Sequence, residues 1–342
     1  MKAVQLLSRG IPGKFRFGDV PNPKPGPDEV VVRVKACGVN HLDLWVEEEN
    51  GLPMKLDLPR VPGCEVAGEI AELGADVDQW IIGDKVAVQS NLFCGSCEYC
   101  LAGQQAICLN APLLGVECDG GFAELVKVPA RCLVRIPDGV SFETSAALTL
   151  AGSTAMHMLT DRVSIETDQT VLVIGASSGV GSAAIQIAKE LGAKVITTGS
   201  TSEKREFGRK LGADHALDPA GDWPREVREI TEKRGVEFVV EHVGGEVLEK
   251  AFTCLGRGGT IITCGATAGR SVSFEVWPFF VKQHQVIGSY GRNHADLNAT
   301  LQWAAEGRLK PVIHQVFPLA GTSNAYELLR ERKVLGKLLV KP

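Results

Sequence analysis

Val171-Leu172-Val173-Ile174 runs without interruption into Gly175-Ala176-Ser177-Ser178-Gly179-Val180-Gly181, and that turn opens the stretch Ala183-Ala184-Ile185-Gln186-Ile187-Ala188-Lys189. Strand, glycine-rich turn and helix in this order restrict the fold severely. A strand apolar at every position must be covered on both faces, which parallel sheets flanked by helices achieve. Comparable short apolar runs recur at 194–198, 215–217, 238–240, 260–264 and 286–288, separated by stretches of helical character. Six such units predict a doubly wound parallel sheet, an α/β fold, over residues 151–288.

The rest of the chain has a different rhythm. Up to residue 150, short runs at 29–34, 66–71, 85–88, 122–128 and 133–136 alternate with turn residues. Segments such as Pro21-Asn22-Pro23-Lys24-Pro25-Gly26-Pro27 cannot continue a ladder. A β-rich, barrel-like domain is expected over 1–150. Residues 289–342 carry one helical stretch near 297–305 and a final run Lys337-Leu338-Leu339-Val340. That is too little for a core of its own, so it is expected to return and complete the first domain. A length of 342 residues suits two domains.

The turn after the first of these strands points to a cofactor. The N–H groups at the start of a helix bind a pyrophosphate, and glycine lets the backbone approach it. Ala176, Ser177, Ser178, Gly179, Val180 and Gly181 are therefore expected to hold a dinucleotide. The second strand ends at Gly199 and Ser200 with no acidic residue, and Lys204 and Arg205 follow. Hydroxyls and positive charge there suit a 2′-phosphate better than a 2′-hydroxyl, which predicts NADP(H) rather than NAD(H). Lys204 and Arg205 also fit the solvated face of the next helix. Val243, Gly265 and Ala266 follow the fourth and fifth strands and are expected to contact the nicotinamide end through their backbone.

Cys94-x2-Cys97-x2-Cys100-x7-Cys108 places four thiols within fifteen residues, the ligand set of a closed tetrahedral zinc site. Such a zinc has no open position and serves structure alone. An iron–sulfur cluster or a redox dithiol uses similar spacing and stays open as an alternative. The other six cysteines are scattered singly, as in a reducing compartment. The N-terminal Met1-Lys2-Ala3-Val4-Gln5 lacks the character of a signal peptide, and no apolar run spans a bilayer. A cytoplasmic protein without a membrane partner is expected. A net charge of -5 with no basic stripe argues against nucleic acid.

Taken together, the β-rich first part, the cysteine lobe, the glycine turn and Gly336-Lys337 resemble the medium-chain dehydrogenase/reductase superfamily. The segments Val61-Pro62-Gly63-Cys64-Glu65-Val66-Ala67-Gly68 and Asp119-Gly120-Gly121-Phe122-Ala123-Glu124 extend the resemblance. It implies a GroES-like substrate domain (1–150, completed by 289–342), a Rossmann cofactor domain (151–288), an active site between them, and Lys337 as a further cofactor contact. Zinc alcohol dehydrogenases of this superfamily carry a second, catalytic zinc. Its ligand positions correspond here to Asn40, Cys64-Glu65 and Leu150, so three of the four ligands differ.

Gly38-Val39-Asn40-His41-Leu42-Asp43 instead resembles the quinone oxidoreductase branch, which has no catalytic zinc. That resemblance implies a small-molecule substrate with an activated C=C bond or a quinone, with Asn40, His41 and Asp43 as catalytic residues. Asn40 would donate to the substrate carbonyl, Asp43 would orient Asn40 or a cofactor hydroxyl, and His41 would position the cofactor or relay a proton. Asn40 and Asp43 also suit a turn held by side-chain to backbone bonds. Two alternatives remain: an alcohol or carbonyl dehydrogenase with a reduced metal site at Cys64 and Glu65, and a nucleotide-binding protein without catalysis. Trp45, Leu150 and Trp277 are candidates for an apolar pocket, and the strand at 286–288 for pairing in a homodimer or homotetramer.

Overall fold

The computed structural model describes residues 1–342. Its strands are β1 (Lys2–Ser8), β2 (Lys14–Asp19), β3 (Glu29–Val39), β4 (Glu65–Leu73), β5 (Lys85–Val88), β6 (Leu125–Pro129), β7 (Leu133–Arg135), β8 (Thr170–Val173), β9 (Lys194–Thr198), β10 (His215–Leu217), β11 (Val236–Glu241), β12 (Leu255–Thr263), β13 (Gln285–Gly288), β14 (Ile313–Pro318) and β15 (Lys337–Lys341). The chain divides into two compact units, Met1–Ser153 with Arg292–Pro342, and Thr154–Gly291.

In the first unit, β1 and β2 form a hairpin. A seven-stranded sheet has the order β14-β15-β3-β4-β5-β7, with β6 also paired to β3. The long strand β3 is the hub, bonded to β15, β4 and β6. Its alternation puts Val30, Val32 and Val34 into one core with Phe122 and Tyr326, whose rings meet edge to face at 6.1 Å. Ala36 on the opposite face joins Ala67, Ala87 and Leu339 under the helices Phe142–Thr149 and His294–Ala305. Small residues at these sheet positions let the helices approach closely. Residues 122–124, the start of the run 122–128 read as strand, precede β6 and touch the sheet only through the Glu124 carbonyl, which accepts the Val34 N–H at 3.0 Å. Their backbone otherwise bonds Pro62 and the first strand, with the Phe122 carbonyl accepting from the Val4 N–H.

The second unit is a six-stranded sheet in the order β10-β9-β8-β11-β12-β13, with all neighbours parallel. The order reverses between β8 and β11, so the ends of those two strands flank the crevice where doubly wound sheets bind ligands. Trp223 and Val227 of the helix Trp223–Ile230 fill the core against Leu172, Ile196 and Val239. The helix Val276–Val281 behaves differently. It reads Val-Trp-Pro-Phe-Phe-Val yet has no buried residue, and Trp277, expected in a pocket or core, is 72% exposed. Its Phe279 ring meets Phe252 of the helix Gly245–Cys254 edge to face at 6.3 Å, while Val276, Trp277 and Phe280 stay exposed. No helix is long and apolar enough to cross a membrane.

Trp223→Ala is expected to cost the second unit about 3–5 kcal/mol, the usual range for truncating a fully buried aromatic. Chemical denaturation followed by circular dichroism would measure it, and a loss below about 1 kcal/mol would show that this ring is not central to the core.

Candidate functional site

Strand β3 ends at Val39, and Asn40 caps the short helix His41–Glu47. The Asp43 carboxylate accepts the Asn40 backbone N–H at 2.7 Å, the reciprocal bond of a capping box. Asp43 is 2% exposed, and burial pushes its carboxyl up to about 7. The Asn40 N–H and the Lys337 ammonium pull it down, while the Glu65 carboxylate pushes it further up. Asp43 thus acts on the Asn40 backbone rather than on its amide. His41 opens the helix and is half-buried.

The Asn40 amide is oriented by two other residues. Glu65, at the start of β4, is fully buried and stands opposite Gly38 of β3. A Cβ on Gly38 would lie 2.0 Å from Glu65 Oε2, so only glycine there lets the carboxylate stay. Oε1 accepts the backbone N–H groups of Leu150 at 2.7 Å and Ala151 at 2.9 Å. Oε2 accepts from Asn40 Nδ2 at 3.0 Å and pairs with Lys337 Nζ at 2.6 Å. The Lys337 ammonium also donates to the Val39 carbonyl at 3.1 Å and to Asn40 Oδ1 at 2.6 Å. Carboxylate and ammonium therefore satisfy each other in a region closed to water, which a buried pair requires.

The positions where zinc alcohol dehydrogenases hold a catalytic zinc do not offer a fitting donor set. Leu150 contributes no donor. Glu65 Oε2 and Asn40 Oδ1 are both engaged by the Lys337 ammonium. Cys64 is buried, and burial holds its thiol well above its ordinary range, reinforced by Asp43 and Glu65; a thiol kept neutral is a poor ligand. Lys337, expected at the cofactor, spends its charge on Val39, Asn40 and Glu65.

The cysteine lobe fits a metal. The Sγ atoms of Cys94, Cys97, Cys100 and Cys108 all lie within 4.8 Å of one another. Individual separations are 3.9 Å for Cys94 to Cys100, 3.8 Å for Cys97 to Cys108 and 3.5 Å for Cys108 to Cys94. A tetrahedron with zinc–sulfur bonds of about 2.3 Å has edges of about 3.8 Å. Backbone N–H groups of Cys97, Cys94 and Asn110 point at the sulfurs of Cys94 and Cys108 at 3.3–3.4 Å, as they do around thiolates. The N–H groups of Ser96 and Cys97 bring the Cys94 thiol down to about 5.

In the second unit the glycine turn is tied down from several sides. Ala176 N–H bonds the Thr198 carbonyl at 2.9 Å, and Gly175 N–H bonds Thr198 Oγ1 at 3.0 Å, fixing the turn to the end of β9. Ser178 caps the helix Gly179–Glu190 by accepting the Gly181 N–H. The N–H groups of Gly179 and Val180 belong to the first turn of that helix, whose donors have no intrahelical partner and suit an anion. A Cβ on Gly181 would lie 2.1 Å from the Gly175 carbonyl, so close helix–strand packing demands glycine. His242, after β11, contacts Ser178 Oγ at 3.0 Å. Both backbone groups of Val243 are used within the unit, its N–H on Glu241 Oε1 at the end of β11 and its carbonyl accepting the Ala268 N–H from the loop after β12. Gly265 and Ala266 lie beyond the end of β12, at the same edge of the sheet. Ser177 lies in the turn itself; Gly199, Ser200 and Lys204 follow β9, and Thr201 caps the helix Ser202–Lys210.

A doubly wound sheet with this turn defines a dinucleotide-binding enzyme class, and comparisons with known proteins narrow it. Residues 26–138 match the alcohol dehydrogenase GroES-like domain, and residues 179–306 match the zinc-binding dehydrogenase family. An alcohol dehydrogenase of Geobacillus stearothermophilus is 33% identical over 330 residues, covering 94% of this chain and 95% of the relative. An acryloyl-coenzyme A reductase of Sulfurisphaera tokodaii is 31% identical over 336 residues, covering 97% and 98%. The crystal structure of an NAD-dependent alcohol dehydrogenase superposes with a TM-score of 0.94 at 38% identity over the whole of both chains. The chain belongs to the medium-chain dehydrogenase/reductase superfamily and is an oxidoreductase.

Sequence reasoning missed the pairing of Glu65 with Lys337. A signal was present, since each charge opens a run of apolar strand residues, Glu65 before Val66-Ala67 and Lys337 before Leu338-Leu339-Val340. Charges in such places are buried only when paired.

If the lobe is a zinc site, purified protein should carry zinc, read per chain by atomic emission, and Cys97→Ser is expected to lower both that content and the melting temperature; an unchanged zinc content would show that the lobe does not hold it. The raised Asp43 carboxyl sets a pH dependence. A carboxyl near 3.8 unfolded and about 7 folded binds its proton more tightly in the native state. Its contribution is complete below the unfolded value and lost as pH rises through the folded one. Asp43→Asn should flatten the fall in the urea midpoint between pH 4 and pH 7.5; an unchanged slope would assign that fall to other groups.

Proposed function

We propose that the protein is an NADP(H)-dependent reductase that delivers hydride to an activated C=C bond or a quinone, without a catalytic zinc. The carrying observation is the place of the Lys337 ammonium, bonded to Glu65 and Asn40 at positions corresponding to metal ligands in the zinc alcohol dehydrogenases. Without a Lewis acid there, nothing lowers the pKa of a simple alcohol toward neutrality. Reduction of a conjugated double bond asks less of the protein, because the developing enolate needs hydrogen-bond donors and a later proton.

Asn40 is suited to that role. One amide hydrogen is given to Glu65, its carbonyl oxygen is held by Lys337, and the side chain is partly exposed, so the second hydrogen serves as a fixed donor to a substrate oxygen. Lys337 polarises the amide through Oδ1, which strengthens that donor. Asp43 fixes the Asn40 backbone, and His41 stands next in the chain as the group to position the cofactor or return a proton. The glycine turn at 175–181 holds the pyrophosphate, and Ser200 and Lys204 read the adenosine ribose. A bound nicotinamide supplies the hydride. One relative is named an acryloyl-coenzyme A reductase, and an acryloyl thioester contains a conjugated C=C bond, which supports this reading.

Relatives named alcohol dehydrogenase favour a second reading, oxidation of an alcohol or reduction of a carbonyl at a metal held by Cys64 and Glu65. A homodimer or homotetramer is part of the first proposal. The uncovered side chains of Val276, Trp277, Phe280 and Val286 by the edge strand β13 support it. Ten free cysteines support a cytoplasmic setting.

Zinc stoichiometry together with NADPH oxidation in the presence of a quinone, an enone and an aldehyde separates the readings. One zinc per chain with enone or quinone turnover is the expected result, and two zincs with strong aldehyde turnover would replace it by the second reading. Asn40→Ala should reduce kcat on the enone on the order of 100-fold, the usual cost of removing one oxyanion donor. An undiminished kcat would remove Asn40 from the mechanism.

A further inference from the structure

We infer that Asp218 is a selectivity determinant for the cofactor, limiting the preference for a 2′-phosphate by holding the Arg205 guanidinium in an ion pair. The inference rests on the cofactor reading above and deepens it. β9 and β10 are adjacent and parallel, with Thr198 beside Leu217, and the Gly199 N–H bonds the Leu217 carbonyl at 2.9 Å. Asp218, the residue after β10, therefore reaches the same sheet edge as Gly199 and Ser200, where the adenosine ribose of a dinucleotide falls in this fold. The acidic residue absent from the end of β9 is supplied from the neighbouring strand.

Arg205 lies on the first turns of the helix Ser202–Lys210 and folds back over that edge. Its Nη1 donates to the Gly199 carbonyl at 2.9 Å and to Asp218 Oδ2 at 2.7 Å. The guanidinium is only 22% exposed, so its position is set by these bonds rather than by solvent. A Cβ on Gly199 would lie 2.8 Å from the Arg205 backbone nitrogen, so a glycine there keeps the strand end and helix start in contact. Asp218 is fixed in turn, its Oδ1 accepting the Ala220 N–H at 3.0 Å.

Two consequences follow for a nucleotide at this edge. A 2′-phosphate meets an arginine whose charge is already neutralised, and it meets the Asp218 carboxylate as a like charge. A free 2′-hydroxyl meets a carboxylate able to accept its hydrogen. Asp218 thus narrows the gap between NADPH and NADH that Ser200, Lys204 and Arg205 would otherwise open.

Asp218→Asn tests this, because an asparagine keeps the Oδ1 bond to Ala220 and removes only the charge. Dissociation constants for NADPH and NADH would be measured by the fluorescence enhancement of the bound nicotinamide, with melting temperature as a check on folding. NADPH should bind about tenfold tighter in D218N, with NADH unchanged or weaker. The gain should vanish in D218N/R205M, since it acts through the arginine. An NADPH to NADH ratio that stays within twofold of the parent, or a gain that persists without Arg205, would overturn the inference while leaving the cofactor reading intact. If neither nucleotide binds the parent protein, the cofactor reading itself fails and takes this inference with it.

Discussion

A single buried carboxylate organises the first unit. Glu65 lies at the start of β4 with no access to water, where an ionised side chain is tolerated only if its oxygens are fully bonded and its charge is met. Four donors satisfy it, from Leu150, Ala151, Asn40 and Lys337. Those donors come from segments far apart in sequence, so one carboxylate fixes the helix around residue 150, the turn after β3 and the last strand together. Gly38 belongs to the same arrangement, because a side chain there would occupy the carboxylate's place. Removing Glu65 would leave the Lys337 ammonium buried beside the Asn40 amide with its main counter-charge gone.

The same network decides how the candidate site can act. An asparagine amide held at one end by an ammonium and at the other by a carboxylate has lost its freedom to rotate, and fixed dipoles cost no reorganisation when charge develops nearby. Asp43 holds the backbone of that residue, so Asn40 is constrained along its chain and at its tip. Constraint of this kind suits a group that donates one hydrogen bond in one direction. It suits a metal ligand less well, since recruiting Asn40 or Glu65 to an ion would require displacing Lys337 from both.

Much of this architecture was legible beforehand, and what was not has a common cause. The parallel sheet announces itself because β8 to β13 are short apolar runs with glycine turns between them, and each such run is a local pattern. The cysteine lobe is local as well, with all four sulfurs inside fifteen residues. The pairing of Glu65 with Lys337 spans most of the chain and has no local correlate. Arg205 and Asp218 sit thirteen positions apart, yet they meet only because β9 and β10 run side by side. The run at 122–128 was right from Leu125 onward, where it forms β6, and too long by its first three residues. Its apolar alternation is real, but Phe122 is buried by the core rather than by a ladder, and periodicity does not distinguish the two.

The two cysteine-containing regions of the first unit show how unevenly a shared scaffold constrains its parts. The lobe at residues 94–108 keeps every sulfur aimed at one point, with backbone N–H groups arranged for negative charge. Its geometry is useful only as a set, because losing one thiolate opens a tetrahedral site and loosens the whole lobe. The region around Cys64 is built the other way. There the buried charge of Glu65 is the fixed element, and either a cation or an ammonium can answer it. A lysine that reaches the carboxylate from β15 satisfies the same electrostatic demand without coordination chemistry. The residues bonded to Glu65 and those bonded to the four sulfurs are separate sets, so a metal held in the lobe would be no guide to what the donors around Asn40 do.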